Sequence, residues 1–193
     1  MFARRLGQYV RKGTLAKPHH RLTRLLHWTT SGLLIYGIAR NGEVTGALFD
    51  EKAMSREVIY FLLLGVLFIA QFIWIEFLGG GSRLPKDAPL WEHRASRIAH
   101  IGVYMLVAYM IFTGLAIAYA TPGTVVFLDG QGRATTNDPF LSSLLFAHFV
   151  GSRLLFLLLT IHVAAALWHW IVRKDGIWES MIGRLTSPTS NRR

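Results

Sequence analysis

The chain has 193 residues, of which 52% are hydrophobic, and its mean hydropathy is +0.35, so it is more apolar than an ordinary soluble domain. Its formal net charge is +10, but the basic residues flank apolar runs and do not cluster on one soluble face, which argues against nucleic-acid binding. The chain contains no cysteine, which excludes disulfides, iron–sulfur clusters and thiolate metal sites.

Four apolar runs, in chain order, predict four transmembrane helices at residues 22–39, 58–77, 98–120 and 144–172. The first run starts late for a signal peptide, so we expect a retained helix. Glycine and proline mark the linkers that precede the third and fourth runs. The predicted fold is all-α, an integral membrane four-helix bundle that forms a single membrane domain over residues 1–193.

Lysine and arginine are distributed unequally between the two sides of this predicted bundle. Seven lie before the first span or in its first turn, four lie between the second and third spans, and five follow the fourth span, whereas the opposite side carries four: Arg40, Lys52, Arg56 and Arg133. Because positively charged loops stay in the cytoplasm, both termini are predicted to be cytoplasmic.

Histidines dominate the polar content of the fourth span. His148, His162 and His169 are separated by 14 and 7 residues, which correspond to rotations of about −40° and −20°, so all three lie on one helix face. The helical rise separates His148 from His162 by roughly 21 Å. Ionisable residues in a membrane are costly and usually functional, and this spacing suits two stacked haem levels.

A haem iron with two axial ligands needs a second imidazole from a facing helix. His27, at the cytoplasmic start of the first span, lies at about the depth of His162. The small side chains of Ala164, Ala165 and Ala166 would let a flat ring approach closely. We therefore predict bis-imidazole ligation of haem b by His27 and His162.

Two further residues have several interpretations. His100, at the start of the third span, is a candidate ligand, a propionate or quinone contact, or an interfacial residue. Arg153, in the fourth span, is a candidate partner for a haem propionate or an arginine that snorkels outward.

The combined motifs resemble the bacterial cytochrome b561 family, which is related to the membrane cytochrome subunits of formate dehydrogenases and nickel-iron hydrogenases. The resemblance covers nearly the whole chain, and its matching segments are Arg21-Leu22-Thr23-Arg24-Leu25-Leu26-His27-Trp28, Ala99-His100-Ile101-Gly102 with Tyr104 and Gly114, and His148 with Ile161-His162-Val163-Ala164-Ala165-Ala166-Leu167-Trp168-His169 and Lys174-Asp175-Gly176.

The resemblance implies an inner haem between His27 and His162 and an outer haem that uses His148 and a histidine of the second span. The second span of this chain contains no histidine. The outer site has therefore lost its haem, has an unusual ligand such as Tyr60, or uses His148 for another purpose, and we favour loss of the haem.

The resemblance also places His169 and Lys174 near a quinone, such as ubiquinone, or near the inner haem edge. An imidazole and an ammonium group can bond quinone carbonyls and supply protons. The alternative role of Lys174 is a charge that helps to keep the C-terminus in the cytoplasm.

The resulting hypothesis is a b-type cytochrome in a bacterial cytoplasmic membrane that exchanges electrons between a redox partner and the quinone pool. It would act as the membrane subunit of a larger respiratory complex, or alone with quinone reductase or superoxide oxidase activity. The alternative hypothesis is a cytochrome-derived anchoring subunit without haem, which the missing histidine favours.

Overall fold

A computed structural model describes residues 16, 19–40, 48, 50–78, 84–85, 88–122, 124, 126–128 and 134–183. The elements of this part of the chain are the helices α1 (Arg21–Ala39), α2 (Glu51–Phe77), α3 (Leu90–Ala120), α4 (Pro139–Trp168) and α5 (Ile177–Ile182), the strands β1 (Val126–Leu128) and β2 (Ala134–Thr136), and a π-helical turn (His169–Arg173) that extends α4.

Three of these helices are long and apolar enough to cross a membrane. They are α2 from Lys52, the whole of α3, and α4 together with its π-helical turn. Their large apolar side chains are widely exposed; Phe112 is 72% and Tyr119 is 90% accessible. A soluble protein rarely exposes so much contiguous apolar surface, so these faces suit lipid. The prediction of an all-α membrane protein is confirmed.

The observed helices begin before the predicted spans. The helix α2 begins at Glu51 and not at residue 58, because the polar turn before the apolar run is also helical, and Asp50 Oδ1 accepts the Lys52 N–H at 3.0 Å. Similarly, α3 begins at Leu90, after Pro89 and with Glu92 in its first turn. Hydropathy therefore marks the apolar part of each helix and misses its polar ends.

The loop before α4 contains a short β-hairpin that the sequence did not predict. Its strands β1 and β2 are antiparallel, with Val126 opposite Thr136. Val126 packs in a buried cluster with Ile117 and Leu141. Asp138 then caps α4, because its Oδ1 accepts the N–H of Phe140 at 2.8 Å. The hairpin is thus packed against the start of α4, through the contact of Val126 with the cluster that contains Leu141.

The chain divides into two compact units. The first unit comprises Met1–Trp28, Gln71–Ile101 and Leu159–Arg193, and the second comprises Thr29–Ala70 and Gly102–Leu158. Each of the helices α1 to α4 therefore contributes one end to each unit.

Backbone hydrogen bonds in the first unit connect segments that are distant in sequence. The N–H of Ala16 donates to the carbonyl of Asp175 at 2.9 Å, and that of His19 donates to the carbonyl of Ser180 at 3.3 Å. The segments before α1 and after α4 are consequently neighbours.

An ion pair joins the ends of α1 and α2 in the second unit. The Arg40 guanidinium donates to Glu57 Oε1 at 2.6 Å, and the Glu57 side chain is only 6% exposed. The same guanidinium lies over the Tyr36 ring, 5.2 Å from its centre. The side chains of Arg40 and Glu57 therefore fix the register of these two helix ends.

Candidate functional site

Three imidazole rings from three helices meet in the first unit. The ring centre of His162 on α4 lies 6.4 Å from that of His27 on α1 and 5.4 Å from that of His100 on α3. The interplanar angles are 52° and 69°, respectively. His27 and His162 are partly buried, whereas His100 is exposed. The histidine of the fourth helix therefore has two imidazole neighbours.

These separations distinguish the two neighbours of His162. Two imidazole nitrogens that bind one metal from opposite sides, at about 2 Å each, place their ring centres about 6 Å apart. The His27–His162 separation of 6.4 Å matches this value. The closer, edge-on contact between His100 and His162 resembles direct ring packing, and His100 Nδ1 also lies 3.4 Å from Ser96 Oγ. The His27–His162 separation therefore fits two imidazoles that hold one haem.

Hydrogen bonds of neighbouring side chains hold the first two turns of α1, which carry His27. Trp74 Nε1 on α2 donates to Thr23 Oγ1 at 2.8 Å, and Thr23 is 3% exposed. Trp28 Nε1 donates to the carbonyl of Met181 on α5 at 3.1 Å. Because these bonds flank His27 on both sides in sequence, they fix the helix turn that presents its imidazole.

A histidine–carboxylate pair closes the end of α4. His169 Nδ1 lies 2.6 Å from Asp175 Oδ2, and both side chains are largely buried. The other carboxylate oxygen accepts the N–H of Ile177 at 3.3 Å. An ionised carboxylate can only accept hydrogen bonds, so the imidazole donates from Nδ1. The sequence predicts a role for His169 but gives none for Asp175.

Backbone geometry brings Asp175 back to His169. Lys174 adopts a left-handed conformation (φ 52°, ψ 38°), and its N–H donates to the His169 carbonyl at 2.7 Å. Gly176 is also left-handed, with φ 83°. For lysine this conformation costs roughly 1 kcal/mol or more, so the turn is stabilised by its surroundings. The exposed Lys174 side chain extends from this turn.

The second unit contains His148, whose Nδ1 lies 2.8 Å from Thr113 Oγ1 on α3. The Thr113 hydroxyl also donates to the carbonyl of Tyr109 at 2.8 Å. With the single hydroxyl hydrogen on the Tyr109 carbonyl, His148 donates from Nδ1. The lone pair of its Nε2 is consequently free for another partner.

His148 lines an apolar cavity of about 90 Å³ together with Tyr60 and Ser152. This volume holds only a few water molecules. Tyr60 lies where the resemblance would place a histidine, but its hydroxyl donates to the Leu33 carbonyl at 2.5 Å. It also fills the space that Gly37 leaves open. The second unit therefore offers His148 without a second imidazole, and the Tyr60 hydroxyl is engaged elsewhere.

Arg153 is exposed on α4, and its guanidinium lies 5.0 Å from the centre of the Phe149 ring. This is a cation–π contact within its own helix, which fits the outward-facing interpretation better than a propionate contact.

The structure thus brings three predicted residues, His27, His100 and His162, together in the first unit, where His169 and Lys174 also lie. It places His148 and Arg153 in the second unit. Asp175 and Thr113 were missed as partners of histidines. The Lys174-Asp175-Gly176 motif was a signal for Asp175, whereas nothing in the sequence identified Thr113 as a partner of His148. No group of three or more His, Asp or Glu side chains suited to a metal ion occurs in the described part of the chain.

A family model described as prokaryotic cytochrome b561 matches residues 19–184. The match covers nearly all of the chain, so the protein belongs to the prokaryotic cytochrome b561 family, and the resemblance inferred from the motifs is confirmed. Membership implies a membrane cytochrome that carries b-type haem and transfers electrons. No curated protein and no solved structure matches the sequence.

Proposed function

We propose that the protein is a four-span cytochrome of a bacterial cytoplasmic membrane that holds one haem b between His27 and His162. It exchanges electrons between a redox partner and the quinone pool, within a larger respiratory complex or alone. The observation that carries this proposal is the 6.4 Å separation of the two imidazole ring centres.

The connection between the chain segments supports four spans. Ala16 and Asp175 share a backbone hydrogen bond, so both residues must lie on the same side of a bilayer. The chain between them therefore crosses the membrane an even number of times. Since three helices are long and apolar enough to span, α1 provides the fourth crossing. The excess of basic residues around the termini supports a cytoplasmic location for this side.

The side chains of the first unit would hold the haem and set its environment. When bound, the haem supplies reversible one-electron chemistry. His27 and His162 would hold the haem iron through their imidazole rings. The bonds from Trp74 and Trp28 would keep the His27 turn in place.

Quinone exchange is proposed at the end of α4. His169 and Lys174 supply an imidazole and an ammonium group next to a buried carboxylate. His169 follows His162 by two helical turns, roughly 10 Å along the axis. These groups suit the hydrogen bonding and protonation of a quinone such as ubiquinone.

One haem per chain is proposed because the second unit offers His148 without a second ligand. The Tyr60 hydroxyl is engaged by the Leu33 carbonyl and is not free to replace a histidine. The same deficiency supports the alternative candidate, a haem-free anchoring subunit.

The experiment that separates the two candidates is spectroscopy of the purified full chain. A reduced-minus-oxidised spectrum of a bis-histidine b-type haem, with one haem per chain, supports the cytochrome. Reoxidation of the reduced protein by a short-chain ubiquinone tests electron exchange. A pure, folded protein without haem would contradict the main proposal and leave the anchoring role.

A further inference from the structure

The His169–Asp175 pair has the geometry of an oriented base. The 2.6 Å contact uses Nδ1 of the imidazole, and no hydrogen-bond partner for Nε2 occurs in the described part of the chain. A carboxylate on Nδ1 fixes the tautomer, so that neutral His169 presents a lone pair at Nε2 and protonated His169 presents an N–H there.

The surroundings of Asp175 hold its carboxylate in one place. Its backbone carbonyl accepts the N–H of Ala16, and its Oδ1 accepts the N–H of Ile177. Asp175 is only 8% exposed. The left-handed residues Lys174 and Gly176 produce the reversal that places it on His169. If Asp175 served only to start α5, its carboxylate would not also need to contact the His169 imidazole.

We propose that Asp175 is a positioning residue that keeps His169 oriented to protonate one carbonyl oxygen of a quinone, an inference that rests on the proposed function. Reduction of a quinone to a quinol takes two electrons, which come from the redox partner of the proposed function, and two protons. His169 passes the Nε2 proton to one quinone oxygen and regains a proton from water, and the other oxygen takes its proton from water. Quinol oxidation reverses these transfers.

The test compares variants of the full chain, reduced and then mixed with a short-chain ubiquinone while the oxidation of the haem is followed. In Asp175→Asn, the rate at saturating quinone should fall about 10- to 100-fold, while the half-saturation concentration and the haem spectrum stay unchanged. Asp175→Glu should recover part of the rate, because it restores the charge. Asp138→Asn is a matched control, since Asp138 caps the start of α4 in the second unit and has no proposed role in quinone reduction.

A double variant excludes a merely structural effect. His169→Gln alone should slow the reaction, and Asp175→Asn should add no further loss in that background. Equal losses in both backgrounds would overturn the positioning role, as would an Asp175→Asn rate within twofold of wild type. If the wild-type protein holds haem but never reduces the quinone, the proposed quinone exchange fails and this inference fails with it.

Discussion

The Thr113 hydroxyl accepts a hydrogen bond from Nδ1 of His148, which leaves Nε2 of this imidazole without a hydrogen. Such an orientation is the one that a metal-binding histidine adopts. His148 is therefore oriented as a ligand although no second histidine faces it.

This orientation predicts a gain of haem. Tyr60→His should vacate space beside His148 and supply the missing imidazole, so that haem content rises from the proposed one towards two per chain. Haem extraction and protein quantification would measure the ratio. In a Thr113→Val background the gain should be lost, because His148 is no longer oriented. A ratio of one in Tyr60→His would argue against a latent ligand role for His148.

Removal of either proposed axial ligand should abolish the principal haem. His27→Ala and His162→Ala each remove one of the two proposed ligands, so we expect loss of the bis-histidine signature in the reduced-minus-oxidised spectrum. His93→Ala is the control, since His93 is an exposed histidine of α3. A complete bis-histidine spectrum in both ligand variants would disprove the assignment.

Gly37 is predicted to be intolerant of a side chain. A Cβ at this position would overlap the Tyr60 hydroxyl and lie 3.2 Å from its ring carbon Cζ. Gly37→Ala should therefore destabilise the protein by about 1–3 kcal/mol, measured by thermal unfolding in detergent. Gly32→Ala is the matched control on the same helix, because no atom lies within 4 Å of its added Cβ. Equal melting temperatures for the two variants would contradict the close packing.

Lys174 combines a strained backbone with a proposed quinone contact, and the two can be separated. Lys174→Gly removes the left-handed penalty and should stabilise the protein by about 1 kcal/mol. Loss of the ammonium group should at the same time raise the half-saturation concentration for ubiquinone several-fold. Thermal unfolding and quinone titration measure the two effects. An unchanged half-saturation concentration would contradict the quinone contact and would leave Lys174 only the role of a positive charge that helps to keep the C-terminus in the cytoplasm.

The long helices were predictable because their apolar runs exceed the length needed to span a bilayer, whereas their polar first turns, from Glu51 and from Leu90, carry no hydropathy signal. The β-hairpin was missed because strands of three residues have no periodicity to detect. Backbone geometry at Lys174 also leaves no trace in hydropathy.

Within the site, helical spacing predicted that three histidines share one face of the fourth span. It did not reveal their hydrogen-bond partners. Thr113 lies on another helix, and Asp175 reaches His169 only through the left-handed turn. Partners of this kind depend on three-dimensional packing, which a single sequence does not encode as a motif.

The Arg40–Glu57 ion pair bears on how the protein enters its bilayer. An isolated arginine or glutamate carries a high cost near hydrocarbon, and the two residues neutralise each other when α1 and α2 are side by side. We expect these two helices to insert together as a helical hairpin. The helix α1 should enter the lipid only after α2 has emerged from the ribosome and reached the translocon.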